Sequence, residues 1–106
     1  MLERVKRLLG LNNAESDELI KEIIKTTEQR LKNRLGGLDI PEALEFVVLE
    51  VSVKRFNRIG SEGFASHSVE GESVSWNEDD FKPYESDILA YLKTLKTNKK
   101  GRIRFI

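Results

Sequence analysis

Apolar residues recur at helical spacing in four stretches of this chain, and one long polar interval separates the third stretch from the fourth. In LERVKRLLGL, Leu2, Val5, Leu8 and Leu9 share one face and Gly10 follows. That pattern predicts a short amphipathic helix over about 2–9, placed as a lid on whatever core the rest forms. The next stretch, NNAESDELIKEIIKTTEQRLKNRLGG, carries Leu19, Ile20, Ile23, Ile24, Thr27, Leu31 and Leu35 at the same spacing and predicts a helix over about 14–35. Asn and Ser residues offer caps at its start, Glu15, Asp17 and Glu18 suit the positive helix end, and Gly36 and Gly37 stop it.

Pro41 opens the third stretch, PEALEFVVLEVSVKRFNRIG, as a residue preset for a first helical turn. Val47, Val48, Val51 and Val53 favour a strand by propensity, yet the run is too long for one and Leu44, Val47, Val48 and Val51 form a helical face. A helix over about 41–59 is predicted. Phe46, Leu49, Val53 and Phe56 make a second apolar stripe on it, leaving Glu42, Glu45, Glu50, Lys54, Asn57 and Arg58 for the remainder. Such a helix is covered on two sides, either as the centre of a bundle or by sharing the second stripe with another subunit. In PYESDILAYLKTLK, Pro83 again marks a start, and Tyr84, Ile88, Tyr91, Leu92 and Leu95 predict a helix over about 83–96 that closes the core. Beyond it lies a tail, 97–106, where Gly101 is expected to end helical structure and Arg102, Ile103, Arg104, Phe105 and Ile106 alternate as an extended strand would.

The polar interval, 60–80, contains two alternating runs around a turn signal: Ala65, His67 and Val69, then Val74 and Trp76. A short β-hairpin is expected there, leaning on the helices or on a neighbouring molecule, because an isolated hairpin is marginal in water. Together these elements predict one all-α domain, 1–106: a small bundle of about four helices, a long hairpin-containing loop before the last helix and an extended tail. Composition agrees, since 39% apolar and 34% charged residues suit one globular core and match no disorder signature. No run approaches the roughly 18 uncharged apolar residues of a membrane span, so no membrane partner is expected. Net charge is zero, with 18 basic and 18 acidic residues, but the signs are segregated. Glu62, Glu70, Glu72, Glu78, Asp79 and Asp80 fall in the interval, whereas Lys93, Lys96, Lys99, Lys100, Arg102 and Arg104 fill the C-terminal end. Segregated blocks of this kind mark interaction segments as well as solvated faces.

Candidate chemistry is sparse. The absence of cysteine removes disulfides, thiolate metal sites and a cysteine nucleophile. His67 is the sole histidine, Glu70 and Glu72 flank a turn glycine, and RIGSEG has neither a P-loop lysine nor dinucleotide spacing. Trp76 suits an anchor for the loop better than a base-stacking platform. No catalytic residue, cofactor site or metal site is predicted, and the chain is not expected to be an enzyme.

The order of elements together with KRFNRIGSEGFASHSVEGESVSWNEDDF, residues 54–81, resembles the head–tail connector, or adaptor, proteins of tailed bacteriophages. The resemblance rests on an Arg-Phe-Asn-Arg helix end, a Gly-Ser-Glu-Gly turn, a Ser-rich stretch and an acidic re-entry through NEDDF. It implies a helical adaptor of the virion, assembled in the bacterial host cytoplasm, that forms a ring under the portal after DNA packaging, dodecameric in the virion. Such a ring extends the DNA channel, lets duplex DNA pass without specific binding and receives the stopper or tail-completion protein. On that picture Glu62, His67, Glu70, Glu72 and Trp76 belong to a docking loop. Phe46, Leu49, Val53 and Phe56 are sealed between neighbours, and Arg102, Ile103, Arg104, Phe105 and Ile106 are donated to the portal as a strand. Two other classes fit the residues less fully. A small nucleic-acid-binding protein would use Lys99, Lys100, Arg102 and Arg104 with Phe105 as a phosphate-binding, stacking tail. A regulatory protein would bind one partner through a helical groove.

Overall fold

The computed structural model describes residues 1–62 and 78–104, with side chains in 1–59 and 80–95. Four helices follow one another: α1 (Leu2–Leu9), α2 (Asp17–Arg34), α3 (Glu45–Glu62) and α4 (Glu85–Arg104). Short 3₁₀ turns lead into the last two, at Glu42–Leu44 and Glu78–Tyr84. The all-α bundle expected from the periodicity is the architecture found.

Backbone chemistry sets where α1 and α2 end. Gly10 takes a left-handed conformation, φ 74°, so that its own N–H reaches the Arg7 carbonyl and the Leu11 N–H reaches that of Lys6. Gly36, also at φ 74°, repeats the device: its N–H bonds to Asn33 and the Gly37 N–H to Lys32. Both are paired closures that satisfy the last carbonyls of a helix and turn the chain away.

The core forms where α1, α2 and α3 meet. Ile20, Ile24 and Leu31 of α2 with Leu35 pack against Leu44, Val47, Val48 and Val51, and Val5 of α1 seals one end. α3 therefore is the central helix, and its valines are helical because both flanks bury them; tertiary packing outweighs a propensity difference of a few tenths of a kcal/mol per residue. Within α1 the expectation that Leu8 joins Leu2, Val5 and Leu9 on the core face is not met. Leu8 is 59% exposed, since it lies a flank away from Val5 while Leu2 and Leu9 lie on the other side. An ion pair by distance, Lys6 Nζ to Asp17 Oδ1 at 2.8 Å, joins α1 to the start of α2.

The C-terminal part departs from the sequence reading. Helical backbone continues through Gly101 to Arg104, so the expected stop and the extended form of Arg102, Ile103 and Arg104 give way to helix. A glycine in a helix interior is disfavoured by about 1 kcal/mol, but it keeps its N–H and does not interrupt the ladder. Lysines and arginines around it are good helix formers and suit the negative helix end. Phe105 and Ile106, like the hairpin expected in the polar interval, lie outside the described residues. The seven-residue 3₁₀ segment that contains Pro83 precedes α4, which begins two residues later than Pro83 suggested.

The core assignment sets a contrast between two leucines. Leu31→Ala, at a fully buried position, should lower unfolding stability by about 2–5 kcal/mol. Leu8→Ala should change it by less than about 0.5 kcal/mol. Urea unfolding followed by circular dichroism measures both.

Candidate functional site

Among the described residues four polar side chains are buried: Thr27, Ser52, Arg55 and Asp80. Three of them belong to one network. Arg55 is 1% exposed and projects from the core face of α3, on the same side as Leu44, Val48, Val51 and Ile59. Its Nη1 donates to Thr27 Oγ1 at 2.6 Å, to Thr26 Oγ1 at 2.9 Å and to the Ile23 carbonyl at 3.2 Å, all on α2. Thr27 Oγ1 in turn donates to the same Ile23 carbonyl at 2.7 Å, which orients its lone pairs toward the arginine. Burial pulls the Arg55 guanidinium down to about 10, with Asp80 opposing the shift and Arg30 and Arg58 adding to it. The group stays cationic at neutral pH.

One turn along α3, Arg58 grips Asp80 with two parallel bonds, Nη1 to Oδ1 at 2.8 Å and Nη2 to Oδ2 at 2.6 Å. Asp80 is 2% exposed and Arg58 21%, so the pair is largely out of water. Bidentate arginine–carboxylate geometry fixes orientation as well as distance. Phe81, the next residue, is buried in the core beside it. Asp80 is thus a buried structural anchor within the acidic run that the sequence leaves open as a solvated face or an interaction segment.

The Phe46, Leu49, Val53 and Phe56 stripe divides in the structure. Leu49 is buried, and Phe46, Val53 and Phe56 are half-buried against the core's edge. Tyr84 covers part of it: its ring meets Phe46 edge-on with centroids 5.9 Å apart, and its hydroxyl donates to Glu50 Oε1 at 2.9 Å. Arg34 and Glu85 form an ion pair that ties the end of α2 to the start of α4. From α4, Ile88 is buried and Tyr91 and Leu92 are partly so, while Leu89 stands 56% exposed. Among the described residues, Tyr84 thus covers part of the stripe, and Phe46, Val53 and Phe56 stay partly exposed.

For the other candidate residues the structure gives less. Glu62 closes α3, and Arg102, Ile103 and Arg104 lie in the last turn of α4. His67, Glu70, Glu72 and Trp76 fall outside the described residues, as do Phe105 and Ile106. Among the described residues there is no group of three potential metal ligands and no helix long and apolar enough to cross a membrane. A cleft of about 320 Å³ between Met1, Arg4, Glu28, Ile40, Glu45 and Val48 holds the exposed Arg4–Glu45 pair and no nucleophile beside a base.

The Arg55–Arg58–Asp80–Phe81 clamp is built from the two ends of the segment on which the phage resemblance rested, and comparison with protein families bears on the same segment. The family model for phage gp6-like head–tail connector proteins matches residues 1–91. The chain belongs to this family. It is thereby a connector, a structural component of the phage virion that works with other head and tail proteins. The match takes in α1 to α3, the clamp and the first turns of α4, and stops short of the basic C-terminal end. No curated protein and no solved structure matches the connector.

Arg55 and Asp80 were absent from the candidates read from the sequence. A signal for Arg55 existed: Leu44, Val48, Val51, Arg55 and Ile59 continue one i, i+3/i+4 series, which places the arginine on the core face. Nothing local distinguished Asp80 from Asp79 or Glu78.

Truncation of Arg55 to alanine should destabilise the connector by about 3–5 kcal/mol, because it opens a cavity and removes a cation from beside a buried carboxylate. Thr27→Val should cost about 1 kcal/mol. Chemical denaturation of both variants tests the ranking. Tyr84 gives a pH signature: burial, with the Glu50 hydrogen bond and charge adding, pushes its phenol up to about 12. A raised pKa in the fold means that this stabilisation is intact below pH 10 and is lost as pH climbs through about 12. Tyr84→Phe should flatten that part of the stability profile, measured as the urea midpoint between pH 9.5 and 12.

Proposed function

We propose that this connector is a ring-forming adaptor that docks on the portal after DNA packaging, extends the DNA channel and receives the stopper or tail. The family match over residues 1–91 is the observation that carries the reading. Two features of the structure support it. Val53 and Phe56 remain half-buried on the central helix and Leu89 is exposed on α4, which leaves apolar surface for a neighbouring copy to cover. The chain also segregates its charge, with acids concentrated before α4 and bases at its end, so that opposite signs could meet between head and tail partners.

In this reading Val53 and Phe56, flanked by Phe46 and Leu49, line the inter-subunit seam. The interval with Glu62, His67, Glu70, Glu72 and Trp76 docks on an abutting protein. Arg102, Ile103 and Arg104, at the end of α4, reach the portal together with Phe105 and Ile106. Duplex DNA passes through the ring without specific contacts, and assembly takes place in the host cytoplasm.

Size-exclusion chromatography and electron microscopy of the protein with its virus's portal test the proposal. The wild-type chain should form a ring on the portal. Val53→Glu should keep its helical circular dichroism and lose the ring, since a carboxylate in a sealed apolar seam is strongly disfavoured. Loss of folding would assign Val53 to the core alone. A folded variant that still forms rings would remove the seam from this face.

A further inference from the structure

We infer that the seam between copies joins two unlike faces of the chain: α4 of one copy, through Leu89, Leu92 and Lys93, packs on the open face of α3 in the next, around Phe46, Val53 and Phe56. The inference rests on the reading of this connector as a ring-forming adaptor, and it names the surface of the neighbour that covers each face.

The open face of α3 follows from where the other elements attach. Glu45 meets α1, lying 3.8 Å from Arg4, whereas Glu50 and Arg58 meet Tyr84 and Asp80 of the segment that leads into α4. At about 100° per residue, Glu50 and Arg58 each stand about 140° round the helix from Glu45. Two arcs are left between these attachments. α2 fills one, where Leu44, Val48, Val51 and Arg55 are buried. Phe46, Val53 and Phe56 occupy the other and are half-buried, with Leu49 buried among them and Tyr84 shielding the Phe46 end.

Charge selects the occupant. Glu42, Glu45 and Glu50, all exposed, border the Phe46 half of this face; Arg4 offsets one of them, and Lys54 lies a turn beyond Glu50 toward the other half. On α4, Leu89 is 56% exposed, exposed Lys93 follows one turn later on the same side, and the helix has no acid after Asp87. Two α3 faces brought together would set glutamates against glutamates, and two α4 faces would set lysine against lysine. Pairing the unlike faces covers Leu89 and the half-buried Leu92 with Val53 and Phe56 while opposite charges meet. Each copy then offers one face of each kind to the copies on its two sides, a head-to-tail contact that closes into a ring where the rotation allows.

The test uses the full chain with the portal protein of the same virus, following ring formation by size-exclusion chromatography and electron microscopy and folding by circular dichroism. Three chains are needed: one with Lys93→Glu, one with Glu42→Lys and Glu45→Lys, and one with all three changes. The positions are exposed, so wild-type helicity is expected of each. The first two chains should need at least tenfold more protein to form rings, and the third should recover most of that loss. A mixture of the first two should also assemble better than either alone, since each supplies the face that the other lacks. Normal rings from Lys93→Glu, or a combined chain no better than the weaker of the other two, overturns this pairing and leaves the ring reading standing if the wild type forms rings. No ring from the wild type overturns the ring reading and this inference with it. If the Glu42→Lys, Glu45→Lys chain does not fold, Leu89→Glu decides in its place: a folded chain without rings supports the pairing, and a folded chain with normal rings overturns it.

Discussion

A guanidinium on the core side of the central helix must be given hydrogen bonds and a counter-charge, or the bundle cannot close over it. Arg55 obtains the first from Thr26, Thr27 and the Ile23 carbonyl, and Asp80 supplies the second from a part of the chain more than twenty residues away. Meeting that need brings the 3₁₀ segment onto α3, and Arg58 then takes both oxygens of the same carboxylate. Phe81 follows Asp80 into the core, Tyr84 reaches Phe46 and Glu50, and α4 starts from the place this fixes. α1, α2 and α3 pack against one another through apolar side chains, and the clamp adds a directional attachment for the 3₁₀ segment.

The bundle accordingly has two styles of cohesion. Its N-terminal part is held mainly by aliphatic side chains that interdigitate without direction, as Ile20, Ile24, Leu31, Val47 and Val51 do, with Arg55 adding hydrogen bonds from α3 to α2. Its C-terminal part joins through Phe81 and Ile88 and through directional contacts, Arg58 with Asp80 and Tyr84 with Glu50. Directional contacts discriminate between arrangements more sharply than apolar area does. A structural subunit that has to meet several other proteins in a fixed frame gains from that division: bulk stability in one part, defined geometry in the other.

Much of this was legible in the chain. Periodicity located all four helices, because aliphatic residues at i, i+3 and i+4 over two or more turns leave few alternatives, and Gly10 and Gly36 marked the ends of α1 and α2. The family, too, was visible in Arg55 to Phe81. The purpose of those residues stayed hidden. Polar letters in a helix read as surface, so Arg55 passed as part of a motif although its register pointed inward, and Asp80 passed as one acid among several. Their partnership spans the polar interval, and no local window contains both. Gly101 erred in the opposite direction: a strong local signal for a stop yielded to a continuous ladder in a lysine-rich context.

Tyr84 touches α3 at two positions one turn apart, its ring against Phe46 and its hydroxyl on Glu50. A helix presents its side chains at steps of about 1.5 Å and about 100°. Sliding the segment along α3 by one residue would swing both partners out of reach together, and no intermediate position satisfies either. The phenol therefore works as a detent, making the seating of the C-terminal helix a matter of discrete notches rather than of continuous adjustment.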